Sequence, residues 1–154
     1  MSQLKLTRDR MVGAAKIAQV MGGQRVLGRK IRSFSDLIDR VADGLPPAAL
    51  ESCVERVVRD RHERSAALHR VVPKATLSRS RRKLGVSASE RTARLARLIA
   101  TAELVWGDAD DAHEWLRRPH PELNGKSPLD AAKTELGGLE AEAVLWKLAH
   151  GIPA

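Results

Sequence analysis

The run "GVSASERTARLARLIATAELVWGD", residues 85–108, decides the fold class. Ser87 with Glu90 three residues on is a capping box, the signature of a helix start. Ala93, Leu95, Leu98, Ile99, Ala102 and Val105 then recur at helical spacing as far as Trp106, and Gly107 stops the run. This apolar face is wider than a small bundle needs to bury within itself, which marks it as a homodimer surface. A helix this long needs other helices around it, and the composition supplies them. Of 154 residues 43% are hydrophobic but only 3% aromatic, with one Phe, no Tyr and three Trp. A core of Leu, Val, Ile and Ala favours packed helices over sheets, because Ala and Leu lose little on entering a helix. The expected fold class is all-α.

Working back from this helix, "KATLSRSRRK" (74–83) reads as a short helix with Leu77 and Leu84 inward, ended by Gly85. A turn at Val71-Val72-Pro73 and a helix near Glu63–Arg70 precede it. In "SFSDLIDRVADGLPPAALESCVERV" (33–57), Ser35 is placed to cap a helix through Leu37, Ile38 and Val41. Gly44 is its C-terminal stop, and Pro46-Pro47 suit the first turn of the next helix, which carries Leu50, Cys53, Val54, Val57 and Val58. Residues 1–32 hold eight Lys+Arg against Asp9 alone, interrupted by Gly13, Gly22, Gly23 and Gly28. They read as a flexible or partly ordered basic arm, with a short helix from Arg8 to Met21 as the alternative.

Working forward, Asp108, Asp110 and Asp111 resemble a metal-binding cluster but are better placed to cap a helix over Asp110–Leu116 and complement its dipole. Pro119, Pro121 and Pro128 stiffen the connection that follows, and Gly125 permits a tight turn in it. A helix begins at Pro128 and is broken by Gly137-Gly138. A last helix carries Ala141, Leu145, Leu148 and Ile152 on one stripe. The chain thus divides into a basic arm (1–34), a helical module (35–106) and a small C-terminal helical unit (107–154).

The charge divides the same way. Residues 1–106 hold 22 Lys+Arg against 10 Asp+Glu, a net +12, whereas residues 107–154 hold 5 against 9, a net −4; together they give the chain's +8. A basic front and an acidic back suit one polyanionic partner and one that is not. The helix, turn and second short helix of the front have the form of a helix-turn-helix. Lys74, Thr76, Arg79, Arg82 and Lys83 are then the DNA-binding residues, within a field of 13 Lys+Arg between Arg56 and Arg97.

Catalytic chemistry is missing from the sequence. The five His are scattered, and no HExxH, P-loop, Cys-His cluster or nucleophile elbow occurs. No enzyme, catalytic residue, metal or cofactor is expected. The single Cys53, in an apolar helical run, reads as a buried inert thiol and points to a reducing, cytoplasmic setting. No apolar run reaches membrane-span length, and the N-terminus lacks the apolar segment of a secretory signal.

From Leu45 onward the sequence resembles the Xre/MbcA/ParS-type antitoxins. The family's C-terminal toxin-binding pattern is matched in order by Gly107-Asp108, Trp115-Leu116, Pro119, Leu123-Asn124-Gly125, Pro128-Leu129-Asp130, Thr134-Glu135-Leu136-Gly137 and Gly151-Ile152. The resemblance implies an Xre-like helix-turn-helix or dimerisation module followed by a toxin-binding domain. It implies an antitoxin with no activity of its own, whose partner is a RES-type toxin that hydrolyses NAD or ADP-ribosylates a protein. The antitoxin would cover the toxin's NAD pocket, and the pair would repress its own promoter through operator DNA, with a homodimer inside the complex. The residues expected to meet the toxin are Asn124, Gly125, Lys126, Lys147, His150, Gly151, Ile152, Pro153 and Ala154. The last of them bring a terminal carboxylate towards the cations that hold a dinucleotide's phosphates. The front departs from the family at "AALHRVVPKATL" (66–77), where Thr76-Leu77 keeps the hydroxyl-Leu pair but the Ala-x-x-Leu-Gly turn is absent. Its helices would then serve mainly for dimerisation. The rival readings are a stand-alone helix-turn-helix regulator and a plain helical scaffold.

Overall fold

The computed structural model describes residues 12–151. Among them there is no strand; ten α-helices and one 3-10 turn surround a single core. In chain order the helices are α1 (Ala14–Val20), α2 (Gly23–Leu27), α3 (Phe34–Ala42), α4 (Pro47–Val57), α5 (Arg61–Val71), α6 (Lys74–Arg79), α7 (Val86–Trp106), α8 (Ala109–Arg117), α9 (Pro128–Ala131) and α10 (Glu135–Ala149). The 3-10 turn is Pro121–Leu123. No helix among the described residues is long and apolar enough to cross a membrane.

The long apolar run within residues 85–108 is the axis of the fold. At 21 residues α7 spans about 31 Å. It is packed by α1, α3, α4, α5, α8 and α10. Leu98, Ile99, Ala100 and Ala102 are fully buried, and Ser89 and Thr92 are buried with them. A helix covered on most of its faces needs small residues where neighbours come close, and its alanines supply them. The wide apolar face, at Leu95, Leu98, Ile99 and Ala102, is therefore covered by the chain's own helices and is not the free dimer surface expected. The exposed large apolar side chains of the front are Phe34 and Ile38 on α3 and, at the two ends of α7 and off its buried stripe, Val86, Leu104 and Trp106.

The N-terminal segment from Val12 onward is not a flexible arm. Ile17, Val20, Met21 and Leu27 are buried in the common core. The glycines that suggested flexibility make turns between short helices: Gly22 and Gly28 flank α2 at φ 101° and 76°. The basic positions Lys5, Arg8 and Arg10 lie outside the described residues.

Several helix ends differ from expectation. Ser33, not Ser35, caps α3, accepting from the Asp36 amide at 3.1 Å while the Asp36 carboxylate accepts from Arg32 N at 2.8 Å. Asp36 stands three residues after Ser33, the spacing of a capping box, but its carboxylate reaches one residue further back, to Arg32 N. The Ser87/Glu90 box is not formed, because α7 begins two residues earlier than a Ser87 cap would place it, with Gly85 as N-cap. Ser89 holds that end: its hydroxyl oxygen accepts from Leu45 N at 2.9 Å and its proton goes to the Leu84 carbonyl at 3.3 Å. Leu84 N donates to Leu45 O at 2.7 Å, so the start of α7 is tied to the α3–α4 junction. Helix α6 ends at Arg79 rather than running to Gly85. Helix α5 is capped by Asp60, which accepts from both His62 N and Glu63 N. Gly137-Gly138 do not break a helix; they lie in the first turn of α10. The stops at Gly44 (φ 91°) and Gly107 (φ 70°) are as expected, as is Pro47 in the first turn of α4.

Candidate functional site

The stiff connection after Trp115 is a closed loop. The His120 carbonyl accepts from both Leu123 N (3.0 Å) and Gly125 N (3.1 Å), and His120 N donates to Lys126 O at 3.0 Å. Leu123 is buried beneath it, and the Trp115 ring, nearly buried, meets the His120 ring edge-on at 6.5 Å. Reversing the chain this tightly needs two consecutive left-handed residues, and Asn124 (φ 55°) and Gly125 (φ 76°) provide them.

Each remaining element of the C-terminal pattern has a similar local cause. Asp108 Oδ1 accepts from Asp111 N at 3.0 Å and starts α8, as the acidic run predicted. Ser127 accepts from Asp130 N at 3.2 Å to start α9, with Pro128 in its first turn. Thr134 accepts from Gly137 N at 3.0 Å to start α10. A Cβ on Gly137 would collide with the Ala131 carbonyl, so the Thr-x-x-Gly spacing combines a cap with a close backbone approach. A Cβ on Gly138 would come within 2.8 Å of Arg94 Cδ.

Arg94, unremarked in the sequence, fixes this unit to the axis helix. Its guanidinium donates to Ala132 O (2.8 Å), Lys133 O (3.0 Å) and Glu135 Oε2 (3.0 Å). Arg97 adds an ion pair to Glu142 at 2.6 Å. The sequence signal for this is a pair of arginines, three apart, that interrupt the apolar stripe of the longest helix. At the other end of α7, Glu103 joins three more elements. It receives Arg56 of α4 at 2.6 and 3.0 Å, Lys16 of α1 at 3.1 Å and His113 of α8 at 2.8 Å. Burial pushes this carboxyl up, but the donors from Arg56, His113 and Lys16 outweigh it and hold it at about 2.

The residues expected to meet a toxin fall into two groups, and the structure joins them. Asn124, Gly125 and Lys126 are exposed on the connection. Lys147, near the end of α10, pairs with Glu122 of the 3-10 turn at 3.1 Å, which sets the end of α10 beside the connection. His150 and Gly151 continue from there, the His150 ring 6.5 Å from that of Trp146. Ile152, Pro153 and Ala154 lie outside the described residues. A cleft of about 520 Å³ separates the connection from α4 and α5, with Gly125 and Lys126 on one wall and Val54, Val57 and Ala67 on the other. Arg70 reaches across to Asp130 at 3.5 Å.

The DNA-binding residues are less unified. Lys74, Thr76 and Arg79 are exposed on α6, but Arg79 folds back to donate to Ala75 O at 3.2 Å. Arg82 and Lys83 are not on that helix; they lie, exposed, in the turn pinned by buried Leu84. No residue of α6 is buried, and Leu77 is its half-buried anchor. Cys53 is fully buried and its thiol is pushed up to about 12, as expected of an inert packing residue.

Two family models match the chain. The antitoxin Xre-like helix-turn-helix domain matches residues 36–97, and the antitoxin Xre/MbcA/ParS C-terminal toxin-binding domain matches residues 101–151. An antitoxin Xre of Pseudomonas putida is 32% identical over 125 residues, covering 79% of this chain and 76% of that protein. The chain belongs to the Xre antitoxin family. Antitoxin Xre of Yersinia enterocolitica is 32% identical over 85 residues, 53% of this chain and 57% of its own. That of Photorhabdus laumondii is 34% identical over 71 residues, 46% and 48% respectively. The two matched regions meet between residues 97 and 101, inside α7, where the structure has one continuous helix. In this antitoxin family member the helix-turn-helix domain and the toxin-binding domain share their central helix and their core.

Proposed function

We propose that this antitoxin neutralises a RES-type toxin by lying over its NAD-binding site, has no catalytic activity of its own, and represses its operon through the basic front. The observation that carries the toxin half is the joining of the connection to the end of α10 by the Lys147–Glu122 pair. Asn124, Gly125, Lys126, Lys147, His150 and Gly151 then form one preorganised surface, and a surface already held in its binding pose loses less entropy on docking. Ile152, Pro153 and Ala154, next in sequence, belong to the same proposed toxin contact. Co-expression tests this half. The protein encoded by the neighbouring gene should arrest growth and lower cellular NAD when expressed alone, and do neither when expressed with this chain. Arrest that persists with the chain present and soluble would reject the proposal.

For the DNA half, support comes from Lys74 at the start of α6 and Arg82 and Lys83 in the turn after it, exposed and within the region matched by the helix-turn-helix model. A homodimer, which would bring two such modules to one operator, rests on the exposed Phe34 and Ile38 and no longer on α7.

A further inference from the structure

Helix α10 is apolar on two opposite sides. Its inner side is Gly138, Ala141, Val144 and Leu145, buried against the rest of the chain. Its outer side carries Leu136, 74% exposed, and Leu139, 49% exposed, followed by exposed Ala143 and half-buried Trp146. At 3.6 residues per turn, positions 136, 139, 143, 146 and 150 fall within about 80° of one another, so the outer residues form one stripe running the length of the helix into His150. A surface helix has one apolar face; a helix apolar on both sides is a helix covered on both sides. Among the described residues nothing covers the Leu136 and Leu139 end of the outer one.

We infer that this outer stripe, Leu136–Leu139–Ala143–Trp146, is the main apolar contact of the antitoxin with its toxin, seated in an apolar groove of that partner. The inference rests on the antitoxin reading and adds to it residues that lie off the connection. Three observations select the toxin as occupant. The stripe lies wholly within residues 101–151, matched by the toxin-binding domain model, and is continuous through His150 with the surface formed by the connection and the end of α10. Glu140 borders it on one side and the Arg94–Glu135 and Arg97–Glu142 ion pairs on the other, a border without the net positive charge a nucleic acid would need. A second copy docked face to face by a twofold axis would oppose this border to itself, which brings Glu140 no complementary net charge. A toxin groove with an apolar floor and a cationic rim complements both features.

The test uses the full chain and the protein encoded by the neighbouring gene, with the dissociation constant measured by titration calorimetry. Leu136→Ser/Leu139→Ser changes two exposed side chains, so the free protein should keep its circular dichroism and melting temperature. Its complex should weaken about 100-fold, the scale of losing two central interface residues. Ala143→Arg, an exposed position with a good helix former, should do the same by obstruction. Val86→Ser, an equally exposed apolar residue at the far end of α7, should leave affinity unchanged. If the wild type does not bind, the antitoxin reading itself fails. If the wild type binds and both α10 variants remain within about threefold of it, the stripe is not the toxin contact and the inference is overturned while the reading stands. If the double variant converts a self-associating free chain to a monomer with toxin affinity intact, the occupant is a second copy, which also overturns it.

Discussion

Replacing Glu103 by Gln should uncouple the N-terminal helices from the rest of the molecule, and the cost follows from the site. One carboxylate, 7% exposed, holds Arg56, Lys16 and His113 from three different helices. Its carboxyl lies at about 2 against an ordinary 4.5. At about 1.4 kcal/mol per unit, that depression corresponds to about 3 kcal/mol of folding free energy. The discount for Lys16 and Arg56, each about a third exposed to screening solvent, brings the expected loss in Glu103→Gln to about 2 kcal/mol at neutral pH. The sign is fixed by linkage. Because the folded-state value lies below the unfolded one, the contribution is complete above pH 4.5 and disappears as pH falls from 4.5 towards 2. Urea denaturation of wild type and variant at a series of pH values between 7 and 2.5 reads this directly. The stability difference should be flat from pH 7 to about 5 and then shrink. A difference that is absent at pH 7, or that stays constant down to pH 2.5, would refute the reasoning.

Other expectations follow from single contacts. Gly137→Ala forces a methyl into the Ala131 carbonyl and should destabilise by about 1–3 kcal/mol in thermal or urea unfolding, whereas Gly125→Ala meets no atom and is limited to its φ strain. Binding of operator-length duplex DNA should fall steeply with salt, and Arg79→Ala/Arg82→Ala should weaken it by roughly 1–3 kcal/mol in gel-shift titrations; binding indifferent to both would remove the front from DNA recognition. Light scattering at tens of micromolar should give the mass of a dimer that Ile38→Asp converts to monomer, and a monomeric wild type would refute the dimer.

The helical class and several helix boundaries were legible in the sequence because they depend on local chemistry: glycine stops at Gly44 and Gly107, proline starts at Pro47 and Pro128, and the acidic cap at Asp108. What was not legible depends on packing across the chain. The N-terminal glycines carry the same signal in a loose arm as in the tight turns around α2, and only the burial of Ile17 and Met21 decides between them. Gly137 and Gly138 look like a break until Thr134 and the Ala131 carbonyl explain why small residues are needed inside a helix. Of the candidate site, the connection's turn residues could be read from the chain. The Lys147–Glu122 pair that joins it to α10 spans 25 positions and could not. Arg82 and Lys83 were placed on a helix that ends before them, because nothing local distinguishes a continued helix from the turn that Leu84 and Ser89 pin.

The most direct test of the account is a stoichiometric titration of this chain into the purified protein of the neighbouring gene while NAD consumption is followed. The account predicts inhibition that rises linearly to a sharp end point and is relieved by raising NAD, since the antitoxin and the dinucleotide would compete for one opening. An intact complex that consumes NAD at the rate of the free toxin would contradict it.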